Sequence, residues 1–342
     1  MKAMVYEGPE ILNVKDVPDV SPKEGQVKIK IRACGICGSD VHGYLGITGR
    51  RIAPVIMGHE FAGEVIELGE GVTDVKVGDR VAAYPLEFCG HCEKCLAGDV
   101  HLCVNKRAFG VLDVDGAFAE YICVPAKCCF HLKDNVSYTI GSIMEPLAVS
   151  YRAVCHAGSL KDKTVMVVGA GTIGLLALAC IVMQKPKKVY VSDLSDSRLA
   201  IAKKMGADVV INSGKEDVQK IIMDQTGGNG IDAVIEAVGI TPTVKQGIDA
   251  LGFGGVAVWI GISAKHIDIE MQKIVTKELT VKGTFLYGFE EFRTVVGFLN
   301  DGLIDVTPLM SEEVSLEELP ATFEKLHKNP GDWIKVTYVN KD

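Results

Sequence analysis

The 342-residue sequence has little positive charge: 36 lysines and arginines stand against 44 acidic residues, for a formal net charge of −8. Proteins that bind a phosphate backbone favour a basic face, so we expect no nucleic-acid partner. The amino terminus lacks the apolar segment that forms the core of a signal peptide, and we therefore expect a cytoplasmic protein. The chain also has no internal repeat and no long low-complexity linker, and its length favours two domains.

The sequence also has few long apolar runs. Residues 165–183 contain no charged side chain and are long enough to be compared with a membrane span. The run is interrupted at 169–174 by Gly-Ala-Gly-Thr-Ile-Gly, so the pattern favours a short buried strand at 165–168, a tight turn and a helix at 175–183. We therefore expect no membrane partner.

The glycine-rich segment has the spacing of a dinucleotide-binding turn. In a Rossmann unit, a glycine in the place of Gly169 permits the turn, one in the place of Gly171 lets the backbone approach a pyrophosphate, and one in the place of Gly174 lets helix and strand pack closely. The amino terminus of the helix then faces the phosphate charge. Ile173 lies in the same turn, and we predict that it contacts the cofactor together with the three glycines.

The second strand of this unit is predicted at 188–192 and ends next to Asp193. A carboxylate at that place accepts hydrogen bonds from both ribose hydroxyls and repels a 2′-phosphate, so the sequence favours NAD over NADP. Arg198 follows in the next helix. Three roles are open for this arginine: it contacts the adenosine ribose, it partly offsets the repulsion between Asp193 and a 2′-phosphate, or it is a helix-surface side chain.

Strands and helices continue to alternate beyond this point. Further strands are predicted at 208–212, 231–236, 254–261 and 279–285, with helices at 199–205 and 218–225. Six strands with intervening helices make a doubly wound parallel sheet of the α/β class, which we assign to residues 149–285. Residues 1–148 and 286–342 form the other domain. Its Val- and Ile-rich strands at 26–32, 62–68 and 79–83, with glycine turns between them, indicate a β-barrel-like fold.

Two groups of metal-type ligands lie in the first 148 residues. One group combines a thiol, an imidazole and a carboxylate, from Cys37, His59 and Glu60, which suits a zinc site that keeps one position open for a substrate oxygen. The other group contains four cysteines whose spacing suits a closed, structural zinc site: Cys89, Cys92, Cys95 and Cys103. Together they predict a metalloenzyme with two zinc ions per chain.

A four-cysteine site also occurs in zinc ribbons that bind nucleic acids, and this is the non-enzyme alternative. The acidic balance of the chain and the absence of a lysine and arginine stripe around the lobe count against it. The remaining cysteines have no disulfide-framework spacing and are expected to be buried thiols: Cys34, Cys123, Cys128, Cys129, Cys155 and Cys180.

With these motifs in this order, the chain resembles the zinc-dependent medium-chain alcohol dehydrogenases from end to end. The matching segments are the two metal motifs at 35–42 and 58–63, the cysteine lobe, the glycine-rich turn and Glu145-Pro146. Residues 143–149 and 192–199 are most similar to the sorbitol and polyol dehydrogenase branch. The resemblance implies a GroES-like β-barrel catalytic domain, a Rossmann domain, and assembly as a homo-dimer or homo-tetramer.

The resemblance also implies an activity, the transfer of a hydride from a secondary alcohol of a sorbitol-like polyol to NAD, giving a ketose. Cys37 and His59 supply zinc ligands, and the zinc lowers the pKa of a bound alcohol so that an alkoxide can release hydride. The third ligand is Glu60 or Glu145, with the other carboxylate reached directly or through water. Glu145 is alternatively a charge at a helix amino terminus. Cys34 is the competing thiol, but the family motif aligns its ligand with Cys37.

The proton released on alkoxide formation needs a relay. Ser39 matches the family position that takes this proton from the alcohol, and His42 matches the position that passes it to solvent through the cofactor ribose. A surface histidine is the alternative for His42. Asp40 is expected to orient His59 rather than to touch the substrate.

These residues do not identify the substrate. Animal-type sorbitol enzymes carry a tyrosine after the relay histidine and an arginine in the last-strand loop, where this chain has Gly43 and Leu286. Arg50-Arg51 lies between the two catalytic motifs, and the two guanidinium groups either hold a substrate phosphate or are solvated loop side chains. A polyol phosphate such as a hexitol phosphate, L-threonine and 2,3-butanediol are therefore alternative substrates.

Overall fold

The structure is a computed structural model that describes residues 1–329 and 331–342. The chain divides into two compact units. The first comprises Met1–Glu145, Gly288–Leu303 and Met310–Asp342, and the second comprises Pro146–Tyr287 and Ile304–Leu309. Ile304–Leu309 was expected in the catalytic domain, since the sequence assigned all of residues 286–342 to it, but it lies in the second unit.

The strands and helices are numbered in chain order. The strands are β1 (Lys2–Gly8), β2 (Ile11–Asp16), β3 (Gln26–Gly35), β4 (Val55–Ile56), β5 (Glu60–Leu68), β6 (Arg80–Ala83), β7 (Leu86–Glu87), β8 (Arg107–Ala108), β9 (Tyr121–Pro125), β10 (Cys129–His131), β11 (Thr164–Val168), β12 (Lys188–Asp193), β13 (Val209–Asn212), β14 (Ile231–Glu236), β15 (Leu251–Trp259), β16 (Thr280–Gly283), β17 (Met310–Val314) and β18 (Lys335–Val339). The helices are α1 (Gly38–Tyr44), α2 (Glu93–Leu96), α3 (Tyr138–Ser142), α4 (Met144–His156), α5 (Thr172–Met183), α6 (Asp196–Lys204), α7 (Val218–Thr226), α8 (Thr241–Ala250), α9 (Met271–Thr276), α10 (Phe289–Asn300) and α11 (Leu319–Lys328).

The first unit is built on a seven-stranded sheet of order β10-β6-β5-β3-β18-β17, with β9 also paired to β3. Its strand pairs are antiparallel except for β17 and β18. A three-stranded sheet of order β2-β1-β4 packs with it around one apolar core. The strands expected at 26–32, 62–68 and 79–83 correspond to β3, β5 and β6, of which β6 begins one residue later than expected, at Arg80.

The register of three neighbouring strands decides which side chains meet at the carboxyl end of β3. Gly35, the last residue of β3, pairs with Glu60 on β5 and with Thr337 on β18. Lys335 lies two residues before Thr337, so both side chains point to the same face of the sheet. Cys37 follows directly after β3. The sheet thus brings Cys37, Glu60 and Lys335 together from distant parts of the sequence.

The second unit contains a six-stranded sheet of order β13-β12-β11-β14-β15-β16, in which every neighbouring pair is parallel. This is the doubly wound α/β arrangement that the alternating pattern predicted. Helix α5 begins at Thr172, three residues earlier than predicted, because the glycine turn itself supplies the first helical residues.

No helix in the described ranges, 1–329 and 331–342, is both long and apolar enough to cross a membrane. The uncharged segment 165–183 is divided between β11 and α5. The 12 residues of α5 extend about 18 Å at a rise of about 1.5 Å per residue, well short of a bilayer core of roughly 30 Å.

Close packing of α5 on β11 depends on Gly174. A Cβ atom at this position would lie 1.8 Å from the carbonyl oxygen of Gly169, a distance that no side chain tolerates. Gly171, the N-cap of α5, has an ordinary φ of −77°, and its Cβ position has no heavy atom within 4 Å. The fold therefore needs a glycine at 174, whereas Gly171 leaves open space above the turn.

We predict that Gly174→Ala lowers the free energy of unfolding by about 2 kcal/mol or more, because the backbone has to shift to relieve the contact. The matched control Gly171→Ala is expected to change it by less than about 0.5 kcal/mol. Urea unfolding followed by circular dichroism measures both variants. Equal destabilisation would contradict the packing role of Gly174.

Candidate active site and metal centres

Helix α1 positions the first metal motif. Its N-cap is Cys37, whose Sγ accepts a hydrogen bond from the Ser39 N–H at 3.5 Å, while Asp40 Oδ2 accepts one from the Cys37 N–H at 3.2 Å. This reciprocal capping fixes the thiol at the start of the helix. At the other end, Tyr44 packs edge-on against Phe323 of α11 with ring centroids 5.9 Å apart, which anchors α1 on the core.

The ligand atoms of Cys37, His59 and Glu60 lie within 4.8 Å of one another. Glu60 is the first residue of β5 and is buried, and His59 directly precedes it. A thiolate, an imidazole and a carboxylate at this separation fit a single zinc ion with three protein ligands. Such a site leaves a fourth position for water or a substrate oxygen.

Two other candidate ligands lie outside this group. Glu145, the second residue of α4, is buried and interacts electrostatically with Lys335, but within the described residues it does not join the three converging ligands. Cys34 is also buried, and burial raises the pKa of its thiol well above the ordinary value. A thiol that stays protonated is a poor zinc ligand, which favours Cys37 over Cys34.

Asp40 is a buried carboxylate with two basic neighbours. Its Oδ1 accepts a hydrogen bond from Arg51 Nη2 at 2.7 Å and lies 3.4 Å from His59 Nδ1. Burial raises the pKa of the Asp40 carboxyl, but His59 and Arg51 more than offset this, and the pKa falls well below its usual range. Because Nδ1 of His59 faces Asp40, its Nε2 is the nitrogen left to bind a metal.

Arg51 is buried and packs against Gly43. Its side chain is 2 % exposed and pairs with Asp40, so the expectation of two solvated loop side chains at Arg50-Arg51 is wrong for Arg51. Arg50 is exposed, and the phosphate role of the pair stays a prediction. A Cβ atom on Gly43 would lie 2.7 Å from Arg51 Cγ. The packed arginine therefore excludes the tyrosine that animal-type sorbitol enzymes carry at this place.

Ser39 and His42 are exposed and lie three residues apart on α1. Residues at this spacing share one helix face, whereas Asp40 points into the unit. The placement suits a proton relay, and that role stays a prediction.

Lys335 is a site residue that the sequence patterns missed. Its Nζ donates to Glu60 Oε2 at 2.6 Å and to the Ile36 carbonyl oxygen at 3.0 Å, and both charged side chains are buried. Burial lowers the pKa of Lys335, but the surrounding anions, Glu60 first, raise it more. The available signal was a lysine directly before Val336-Thr337-Tyr338-Val339, a run of β-branched and aromatic residues typical of a buried strand.

The four cysteines of the lobe also converge, since their ligand atoms lie within 4.8 Å of one another. Cys89 Sγ lies 3.5 Å from Cys103 Sγ and 3.9 Å from Cys95 Sγ. Backbone N–H groups of His91 and Cys92 lower the pKa of Cys89 to about 6. Desolvation raises the pKa of Cys95 to about 12. Four sulfurs around one point, with peptide donors aimed at one of them, fit a closed tetrahedral zinc site.

The glycine-rich turn lies between β11 and α5. Asp193, the last residue of β12, reaches this turn, and its Oδ2 accepts a hydrogen bond from the Ala170 N–H at 2.7 Å. The Ile173 carbonyl oxygen accepts one from Ser150 Oγ at 3.0 Å. Arg198 is half-buried in the first turn of α6. A carboxylate therefore lies beside the amino terminus of α5, where a ribose would follow a bound pyrophosphate.

Two protein-family models match the chain. The model of the alcohol dehydrogenase GroES-like domain matches residues 23–134, and that of the zinc-binding dehydrogenases matches residues 172–301. The chain belongs to the zinc-dependent medium-chain alcohol dehydrogenases. It is therefore an oxidoreductase with a GroES-like domain and a Rossmann domain, and the resemblance inferred from the sequence is confirmed.

Relatives match this dehydrogenase over nearly its whole length. It is 36 % identical over 334 residues to an L-threonine 3-dehydrogenase of Bacillus velezensis, which covers 96 % of each chain. It is 35 % identical over 342 residues to a sorbitol dehydrogenase of Halalkalibacterium halodurans, which covers 98 % of each chain. A solved structure of a zinc-binding dehydrogenase from Sinorhizobium meliloti, bound to NADP, has a TM-score of 0.92 at 32 % identity and covers 99 % of each chain.

The buried pair around Asp40 generates a prediction for stability. Asp40→Asn is expected to lower the free energy of unfolding by about 3–5 kcal/mol, because Arg51 is left buried without a counter-charge. The control Asp301→Asn breaks an ion pair between Asp301 and Lys133 of the same 2.7 Å length. The two side chains of this pair are 55 % and 60 % exposed, respectively. This control is expected to cost less than about 1 kcal/mol.

Urea unfolding of the metal-free protein measures this difference, since zinc release then makes no contribution. Similar losses in the two variants would show that burial does not strengthen the Asp40 pair.

Proposed function

We propose that this dehydrogenase oxidises a secondary hydroxyl of a sorbitol-like polyol to a ketone, with NAD as the hydride acceptor. The observation that carries the proposal is the convergence of Cys37, His59 and Glu60 ligand atoms within 4.8 Å of one another. The polyol class is supported by the polyol-branch motifs at 143–149 and 192–199, and by the similarity to a sorbitol dehydrogenase.

Zinc bound at this site would lower the pKa of an alcohol, and a bound dinucleotide would accept the hydride. Asp40 holds the ring of His59 through Nδ1, so that Nε2 points to the metal position. Ser39 Oγ accepts the proton that the alcohol releases, and His42 on the same helix face passes it to solvent.

Glu60 is proposed as the resting carboxylate ligand, because it belongs to the converging group. Glu145 is proposed to approach the metal through water from its place at the start of α4. A second, structural zinc is proposed at the four cysteines of the lobe: Cys89, Cys92, Cys95 and Cys103. The second zinc is supported by the mutual distances of their sulfurs.

NAD is proposed rather than NADP because the Asp193 carboxylate lies beside the turn, where it would repel a 2′-phosphate. Arg198 is proposed to contact the adenosine ribose from the first turn of α6. The remaining residues proposed to contact the dinucleotide are Gly169, Gly171, Ile173 and Gly174.

A homo-dimer or homo-tetramer is proposed to form through β16 (Thr280–Gly283). This strand is the last in the order of the parallel sheet, and its side chains are largely exposed. An exposed edge strand offers unpaired backbone groups to a second copy. A small-molecule alcohol is the other proposed partner, and the cytoplasmic location stays a prediction.

The substrate assignment is tested by NADH formation with sorbitol, xylitol, galactitol, the matching hexitol phosphates, L-threonine and 2,3-butanediol. We expect a free polyol to be oxidised fastest, and NAD to be preferred over NADP by about ten-fold or more because of the charge on Asp193. A phosphate, L-threonine or butanediol that reacts fastest would replace the polyol in this assignment. Full turnover in a Cys37→Ser variant would contradict the zinc site.

Metal content gives a separate prediction. We expect two zinc ions per chain, of which Cys37→Ser removes one and Cys103→Ser the other, as measured by inductively coupled plasma mass spectrometry. Cys103→Ser is also expected to lower the thermal midpoint more than Cys37→Ser does, because a closed structural zinc contributes folding free energy. A single zinc ion in the unmodified protein would contradict the two-site assignment.

A further inference from the structure

Lys335 contacts a side chain that also belongs to the proposed zinc site. Its ammonium donates to Glu60 Oε2 at 2.6 Å, and Glu60 is one of the three converging ligands. The carboxylate lies over Gly35, where a Cβ atom would be 2.2 Å from Oε2. The sheet register and the missing Cβ therefore fix Glu60 between a lysine and a metal position.

With a metal bound, a carboxylate in this position would be attracted by two cations at once. Hydrogen bonds between ionised groups are short and strong, and a buried pair is screened little by water. The ammonium draws on the same carboxylate charge that a zinc ion would use. With zinc bound, it would weaken the bond between Glu60 and the metal and so leave the metal a stronger Lewis acid toward a substrate oxygen.

The buried charges of the region occur in opposite pairs. Asp40 pairs with Arg51, and Glu60 pairs with Lys335. Asp40 and Glu60 thus each have a hydrogen-bonded cation within the protein. Within the described residues, Glu145 and Cys37 also interact electrostatically with Lys335, without a hydrogen bond to it. Without Lys335, a thiolate and an uncompensated carboxylate would both bind the zinc at full strength.

We propose that Lys335 is a positioning residue that shares Glu60 with the catalytic zinc and so keeps the carboxylate–zinc bond weak. The inference rests on the proposed zinc site. Lys335 contacts neither substrate nor cofactor in this role and acts through Glu60.

The test is the rate of metal release from the zinc-loaded protein to a chelator, followed in the kinetic phase that Cys37→Ser abolishes. Lys335→Met is expected to slow this phase about ten-fold, because Glu60 then has only the metal as its counter-charge. Lys28→Met is the matched control, since Lys28 is also buried, 8 % exposed, and pairs with Asp19 at 2.8 Å. It lies at the other end of β3 and is expected to change the rate by less than about two-fold.

A double variant isolates the route through Glu60. In a Glu60→Gln background, Lys335→Met is expected to change the release rate by less than about two-fold. This double variant carries no uncompensated charge at the pair, whereas Glu60→Gln alone leaves Lys335 without its partner, so circular dichroism first establishes that each variant is folded. Cobalt(II) in place of zinc gives a second readout, because its visible absorption reports the ligand geometry, and Lys335→Met is expected to shift the bands.

Faster metal release in Lys335→Met would overturn the proposal, because Lys335 would then support Glu60 as a ligand rather than compete for it. A lysine effect of about ten-fold in the Glu60→Gln background would also overturn it, since the effect would not pass through Glu60. Equal zinc content in the unmodified protein and Cys37→Ser would instead remove the proposed zinc site itself, so the two failures are distinguishable.

Discussion

A buried carboxylate needs a positive partner, and this requirement organises the region around the converging metal ligands. Asp40 forms an ion pair with Arg51, and Glu60 forms one with Lys335, each at hydrogen-bonding distance inside the first unit. Desolvation makes such pairs costly to break, so the positions of the anions are fixed before any metal binds. Asp40 also caps helix α1 by accepting from the Cys37 N–H, and the register at the end of β3 brings Glu60 and Lys335 together. Stability and candidate chemistry therefore share one set of buried charges.

The same pairs restrict substrate recognition. Because the Arg51 guanidinium is hydrogen-bonded to Asp40, a substrate phosphate would have to bind to another cationic side chain. The arginine also fills the space beside Gly43, so this chain differs from animal-type sorbitol enzymes for a steric reason.

Local patterns predicted the parts of the fold that depend on neighbours in sequence. Alternating strands and helices, the glycine turn and Asp193 identified the parallel sheet, because these signals arise within a few residues of one another. The family resemblance added the metal motifs. Lys335 was missed because it lies 275 residues from Glu60, and only the pairing of β5, β3 and β18 brings the two together. Arg51 was misinterpreted because a loop arginine shows no sequence sign of burial.

One metal ion is proposed to be bound by Cys37, His59 and Glu60. Crystals of the purified protein, measured with anomalous scattering at the zinc absorption edge, test it most directly. We predict one peak bonded to these three side chains and a second within the four-cysteine lobe. A single peak in the lobe, or a catalytic peak bonded to Glu145 with Glu60 held only by Lys335, would contradict the account.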